Sequence, residues 1–200
     1  MKRQWILWII ALLPYCLCAQ QDVKAAEILD KVIAPLKEGG IRTEFTGTEN
    51  GFLLLKGKKF YLHSGNVQSW YDGNTLWSYT ADNEEVNISC PTSEELQAIN
   101  PYLLLTGYKT DYYYTCKESI DPNGAERYEI TLLPQKADTQ DIIRLVISKD
   151  HRPRSIKVER NGRTVSDINI RVYKTRQKLE DSMFRFNKTL YPQAEIIDLR

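Results

Sequence analysis

Histidine and cysteine are the scarcest reactive residues in this 200-residue chain, with two of the first and four of the second. Nucleophilic catalysis by Ser or Cys needs a neighbouring base. His63 closes an apolar run and His151 sits in a charged turn before Pro153, so both read as surface histidines. No group of His, Cys and carboxylates has the spacing of metal ligands. Glu84-Glu85 and Glu94-Glu95 are adjacent pairs that point apart or charge a helix start, and do not face one another as acid and base. No glycine loop follows a strand and opens a helix, as phosphate binding would require. We therefore assign no catalytic residue, no metal and no cofactor, and do not expect an enzyme. Charge of one sign is missing too. Formal charge is +1, and −1 once Lys2 and Arg3 are set aside, which leaves no concentrated basic surface for nucleic acid.

Only one long apolar run occurs. Trp5 to Leu13 follow Lys2 and Arg3 and precede the small residues Cys18 and Ala19, the pattern of a secretory signal peptide. The run is shorter than the roughly 20 apolar residues that span a bilayer. We expect residues 1–19 to be removed and a soluble single domain to occupy 20–200, beginning at Gln20. Tyr15 and Leu17 stand where a lipid-modified cysteine at 16 or 18 would need a small residue. Of the remaining thiols, Cys90 and Cys116 are free to form a disulfide in an exported protein, or to stay as two buried thiols.

Strand patterns are plentiful, and they centre on residues 70–79. Asp72-Gly73 supplies a hairpin turn between Trp70-Tyr71 and Leu76-Trp77-Ser78-Tyr79. Trp77 and Tyr79 share one face and Leu76 and Ser78 the other. The aromatic face is either sandwich core or the wall of a hydrophobic cavity. Upstream, Asp22 is a plausible N-cap for an amphipathic helix whose stripe includes Ile28 and Val32, which Pro35 kinks or ends and Gly39-Gly40 close. Phe52 to Leu55 form a strand apolar on both faces, so something must cover its outside or fill its inside. Thr92-Ser93-Glu94-Glu95 is a capping box that opens a helical insert running to Gly107, either a plug in a barrel mouth or a lid. Further short strands separated by turns continue to Tyr173, with a last one expected at Met183–Phe186. The regular spacing favours a barrel or strongly curved sheet.

The order of leader, amphipathic helix, Gly51-Phe52-Leu53-Leu54-Leu55-Lys56, Phe60-Tyr61-Leu62, Asp72-Gly73-Asn74-Thr75-Leu76-Trp77-Ser78-Tyr79, helical insert and Phe184-Arg185-Phe186 resembles the periplasmic outer-membrane lipoprotein carriers, the LolA-like family. The stretch from Asp72 to Tyr79 is the most specific part. Ile99-Asn100-Pro101-Tyr102 and the tail Ile196–Arg200 resemble its Bacteroidetes-type branch. The resemblance implies a mainly β fold with α: an unclosed antiparallel β-barrel of about eleven strands, capped by the N-terminal helix and a short helical lid. It also implies a monomeric periplasmic carrier that shelters lipoprotein acyl chains and shuttles them from inner to outer membrane. Its partners would be lipidated proteins, an inner-membrane ABC-type releasing complex and an outer-membrane acceptor.

On this resemblance Leu53, Leu55, Phe60, Leu62, Trp77 and Tyr79 line the acyl cavity, and Leu96, Ile99, Leu103, Leu104 and Leu105 belong to the lid. Family members commonly carry an Arg just after the Lys that ends this strand. Here Gly57 and Lys58 follow Lys56, so Lys56 and Lys58 are the candidate latch, as point charges in place of a planar fork. The alternative is an envelope protein-interaction or structural module on the same shell, its interior filled by its own side chains.

Overall fold

The computed structural model describes residues 22–136 and 141–200, without the side chains of Glu94, Pro101 and Leu104. The leader expected over 1–19, with Cys16 and Cys18, and the start at Gln20 lie outside the described residues. Asp22 caps the first helix, α1 (Val23–Ile33), by accepting from the Ala25 amide at 3.1 Å. Its second oxygen accepts from the Cys116 amide at 2.8 Å, tying the helix to a distant strand. Ala25, Ile28, Leu29 and Val32 are buried along one stripe. Pro35 then opens α2 (Pro35–Glu38), where its missing N–H costs nothing.

Six strands follow as a meander: β1 (Gly40–Gly47), β2 (Gly51–Lys56), β3 (Lys59–Ser64), β4 (Val67–Tyr71), β5 (Leu76–Thr80) and β6 (Glu85–Ser89). A helical insert comprises α3 (Ser93–Ile99), α4 (Pro101–Leu104), a 3-10 turn at Leu105–Gly107 and α5 (Tyr108–Asp111). A second meander contains β7 (Tyr112–Ile120), β8 (Glu126–Pro134), β9 (Asp141–Ser148), β10 (Pro153–Arg160) and β11 (Arg163–Gln177). The strand order β12-β6-β5-β4-β3-β2-β1-β11-β10-β9-β8-β7, with β12 at Glu195–Asp198, is one unclosed 12-stranded sheet. Register shifts at Glu44/Phe45 and Val158/Glu159 bend it where the two meanders join. Because β6 and β7 lie far apart in this order, no hairpin can connect them. The insert must cross the hollow side, which is why helices lie there.

This is the expected unclosed barrel with an N-terminal helix, corrected in two places. Strand β12 runs parallel to β6, pairing Ile196 with Val86. The strand expected at Met183–Phe186 is instead a 3-10 helix at Asp181–Phe184 leading into an irregular segment. Its alternating burial, with Phe184 buried between exposed Met183 and Arg185, imitates a strand. It packs on β3 and β4, and both already have ladder partners on either side.

Ladder register sorts the side chains onto two faces. Ile41, Leu55, Phe60, Tyr71 and Leu76 form one row across the concave face, where α1 and the insert close the core. Leu54, Tyr61, Trp70 and Trp77 form the neighbouring row on the convex face. The tail covers that convex row: the Phe186 and Tyr191 rings lie 5.5 and 5.7 Å from Trp70, and the Tyr191 hydroxyl donates to Gln68 Oε1 at 2.8 Å. On the outside of the doubly apolar strand, Phe52 packs edge-on against Tyr61 and His63 at 5.4 and 5.7 Å, with the Arg42 guanidinium over its ring.

Candidate functional site

Between the concave face and the insert lies a cavity of about 290 Å³. Its sheet wall carries Thr43, Phe45, Leu53 and Leu62 with Ile156 and Val158 of β10 and Val165, Ile168 and Ile170 of β11, and its roof carries Ile99, Asn100 and Tyr102. Alternation along β1, β2 and β10 aims these aliphatic chains inward. Arg160 and Asp141 also line it, and they neutralise each other through two bonds of 2.7 Å. Among the described residues no cluster of His, Cys, Asp and Glu could hold a metal ion. The chemistry on offer is apolar burial with a few polar groups, the usual make-up of a small-molecule site.

The roof is held unequally at its two ends. At the α5 end Leu105 and Tyr108 are buried, and the Tyr108 hydroxyl shares its proton between Asp30 Oδ1 at 2.9 Å and the Ala26 carbonyl at 3.1 Å. Burial first, and then that bond, push the Tyr108 hydroxyl well above the ordinary tyrosine range. Lys109 binds the other oxygen of Asp30 at 2.8 Å. At the α3 end the capping box is closed in both directions, Glu95 N to Thr92 Oγ1 at 3.3 Å and Thr92 N to Glu95 Oε2 at 2.7 Å. Toward the core, among the described residues, α3 offers half-buried Leu96, Gln97 and Ile99 and no buried side chain. Asn100 and Pro101 break the helix between the two ends, with the Asn100 side chain capping α4.

The outer membrane lipoprotein carrier protein LolA family profile matches residues 16–163. The chain belongs to the LolA family. The match takes in the first helix, strands β1 to β10 and the whole insert. No curated protein matches the chain in sequence. An uncharacterized conserved protein of Thermus thermophilus shares the fold at TM-score 0.61 and 16% identity, covering 88% of this chain and 99% of that one. A putative outer membrane lipoprotein-sorting protein domain of Vibrio parahaemolyticus aligns at TM-score 0.48 and 12% identity, covering 85% of this chain and 99% of that one.

In this LolA family member the residues expected in the cavity separate into three groups. Leu53 and Leu62 line it, and Leu55 and Phe60 lie on the same face, packed into the core beside it. Trp77 and Tyr79 do not belong to it: Trp77 stands opposite Trp70 and Tyr79 opposite Gln68, both on the convex face, with the Tyr191 ring tilted against Tyr79 at 4.7 Å. Of the expected lid residues, Ile99 lines the cavity, Leu96 and Leu103 pack half-buried against the core, and Leu105 is fully buried in the anchored end. The Leu104 side chain lies outside the described residues. The strands β10 and β11 supply a whole wall that no local motif distinguished from the rest of the meander.

The latch assignment is corrected as well. Lys56 donates to the Leu179 carbonyl at 2.8 Å and to Asp181 at 2.9 Å, and Lys59 donates to the other Asp181 oxygen at 2.6 Å. Lys58 is exposed in the turn. The cavity is lined at the Ser64 end of the β2–β3 hairpin, and these lysines sit at the opposite end. They fasten the tail and not the insert. Cys90 and Cys116 are free thiols, on β6's edge and on β7, which the sheet order keeps apart. Burial, the largest influence, raises the Cys116 thiol above its ordinary range.

Proposed function

We propose that this protein is a periplasmic carrier that shelters the acyl chains of lipoproteins in the cavity and shuttles them from the inner to the outer membrane. The observation that carries the reading is an apolar hollow of about 290 Å³ roofed by a segment whose α3 end rests on the core through half-buried Leu96 and Ile99. Acyl chains in water cost about 0.8 kcal/mol per CH₂, so an unescorted lipoprotein cannot cross an aqueous compartment at a useful rate. Family membership supports the same reading.

The hollow lies at the lower edge of the roughly 300–1,000 Å³ common for ligand pockets. A cargo with several full-length chains therefore requires α3 to swing away about Asn100-Pro101 while Leu105 and Tyr108 stay in place. Loading and release then become a shift between closed and open populations. The partners would be lipidated proteins, a releasing complex in the inner membrane and an acceptor in the outer membrane, with the carrier working as a monomer.

The test is uptake of N-phenyl-1-naphthylamine by the purified mature chain, followed by its displacement with a triacylated lipopeptide. Native mass spectrometry of the protein from its own periplasm should show bound lipid or lipidated protein. A chain that takes up no fluorophore and carries no lipid would instead be a protein-binding module of the envelope.

A further inference from the structure

Among the described residues, four buried side-chain polar atoms make no hydrogen bond: Thr43 Oγ1, Asn100 Nδ2, Tyr102 Oη and Tyr173 Oη. They gather in one place. Thr43 stands opposite Tyr173 in the β1–β11 ladder. The Tyr102 and Tyr173 hydroxyls stand beside each other, near enough for a weak hydrogen-bond contact that perturbs the ionisation of both, but neither completes a well-formed bond. The Tyr102 amide donates to Asn100 Oδ1 at 3.1 Å, so the Asn100 oxygen is occupied and its NH₂ is left over. Thr43, Asn100 and Tyr102 all line the cavity, with 3%, 0% and 3% of their surfaces exposed.

Unmet polar groups in an apolar site are destabilising, and their placement here is informative about what completes them. Each of the three offers a donor: an amide N–H₂ and two hydroxyls. The complementary group is an acceptor carried at the end of an otherwise apolar body. A carboxylate is disfavoured, because the cation lining the cavity, Arg160, is already neutralised by Asp141 through its Nε and Nη2. A neutral carbonyl fits better. We infer that Thr43, Asn100 and Tyr102 bind the carbonyl of an acyl ester or amide, so that the cavity selects acylated molecules over plain hydrocarbon.

This inference rests on the carrier reading and adds a selection rule to it. Because Thr43 belongs to the sheet while Asn100 and Tyr102 belong to the roof, a carbonyl bound to all three joins wall to roof and favours the closed state. The remaining wall, including Ile156, Val158 and Ile168, takes the start of the chain. Lipoprotein and phospholipid both present such a carbonyl.

The experiment titrates the mature chain with two pyrene probes of equal length, one ending in a methyl ester and one in plain alkyl. The ester is expected to bind more tightly, and its carbonyl stretch to move to lower wavenumber when bound. Thr43→Val and Tyr102→Phe, which remove one polar atom each, should lower the ester-to-alkyl affinity ratio about three- to tenfold. The melting temperature of the ligand-free protein should hold or rise, since each change deletes a buried group that had no partner. Equal affinity for the two probes, or a ratio that neither substitution alters, overturns the inference while the carrier reading stands; the second result is the one expected if water alone meets these groups. Failure of both probes to bind overturns both. In parallel titrations, sensitivity to the two substitutions with a tripalmitoylated lipopeptide but not with dipalmitoyl phosphatidylethanolamine supports the inference and names lipoprotein as the source. The reverse pattern supports it with phospholipid as the source.

Discussion

Trp70 and Trp77 face each other across the β4–β5 ladder on the convex side of the sheet, a backbone's thickness away from the hollow that Leu62 lines. Trp70 and Tyr79 are therefore the seat of the tail, and the hollow is lined mainly by aliphatic side chains, with Phe45 and Tyr102 among them.

This division predicts opposite outcomes for two substitutions. Leu62→Glu places a carboxylate without a partner against the cavity and should weaken fluorophore binding by about tenfold or more. Trp77→Ser should leave that affinity unchanged. Parallel titrations with N-phenyl-1-naphthylamine, with circular dichroism to confirm folding, decide the matter.

The tail fastening is expected to depend on acid. Hydrogen bonds from Lys59 first and Lys56 second hold the Asp181 carboxyl at about 2, against an ordinary 3.8. A carboxyl depressed on folding contributes stability that is fully present above its unfolded value and is lost as pH falls toward its folded one. The melting-temperature gap between the parent and Asp181→Asn should thus be constant above about pH 5, shrink below pH 4 and vanish near pH 2. Because the carboxylate is exposed, the gap should be small and should narrow in high salt.

Tyr108 pins the roof to α1, so Tyr108→Phe should destabilise the fold. The hydroxyl is lost, the Ala26 carbonyl keeps only its bond within the helix, and Asp30 keeps Lys109. We expect a loss of about 1–2 kcal/mol in urea unfolding, with little change in the slope.

The two thiols should differ in reactivity. Cys90 is exposed, whereas Cys116 is partly buried and its thiol is raised by that burial. Native protein should take one alkyl group at Cys90 quickly and a second at Cys116 only slowly or after unfolding. Intact mass with and without reductant should agree, as no disulfide joins the pair.

Local features were legible wherever a few neighbouring residues settle a conformation. The Asp22 cap, the stop at Pro35, the Asp72-Gly73 turn and the Thr92–Glu95 capping box all appear where their side chains place them. In these cases a side chain meets a backbone amide within three residues, and nothing distant is needed. Phe52 to Leu55 were also legible as apolar on both faces, and both faces are covered. The site was legible only in part. Leu53, Leu62 and Ile99 were identified, but Thr43, Asn100 and Tyr102 were not assigned to it, because an unmet polar atom is visible only when everything around it is in place.

From the residues alone come the alternation of strands, the positions of turns and caps, and the helical interruption before β7, because each follows from short-range periodicity and steric preference. Tertiary structure alone decides which face of an alternating strand looks inward. Period-two patterning divides Trp77 from Leu76 without saying which is inside. That choice falls to whatever covers each side: here the tail with Phe186 and Tyr191 on one, α1 and the insert on the other. The same long-range placement gives Lys56 its partner 125 residues along the chain and brings three polar side chains from wall and roof into one hollow.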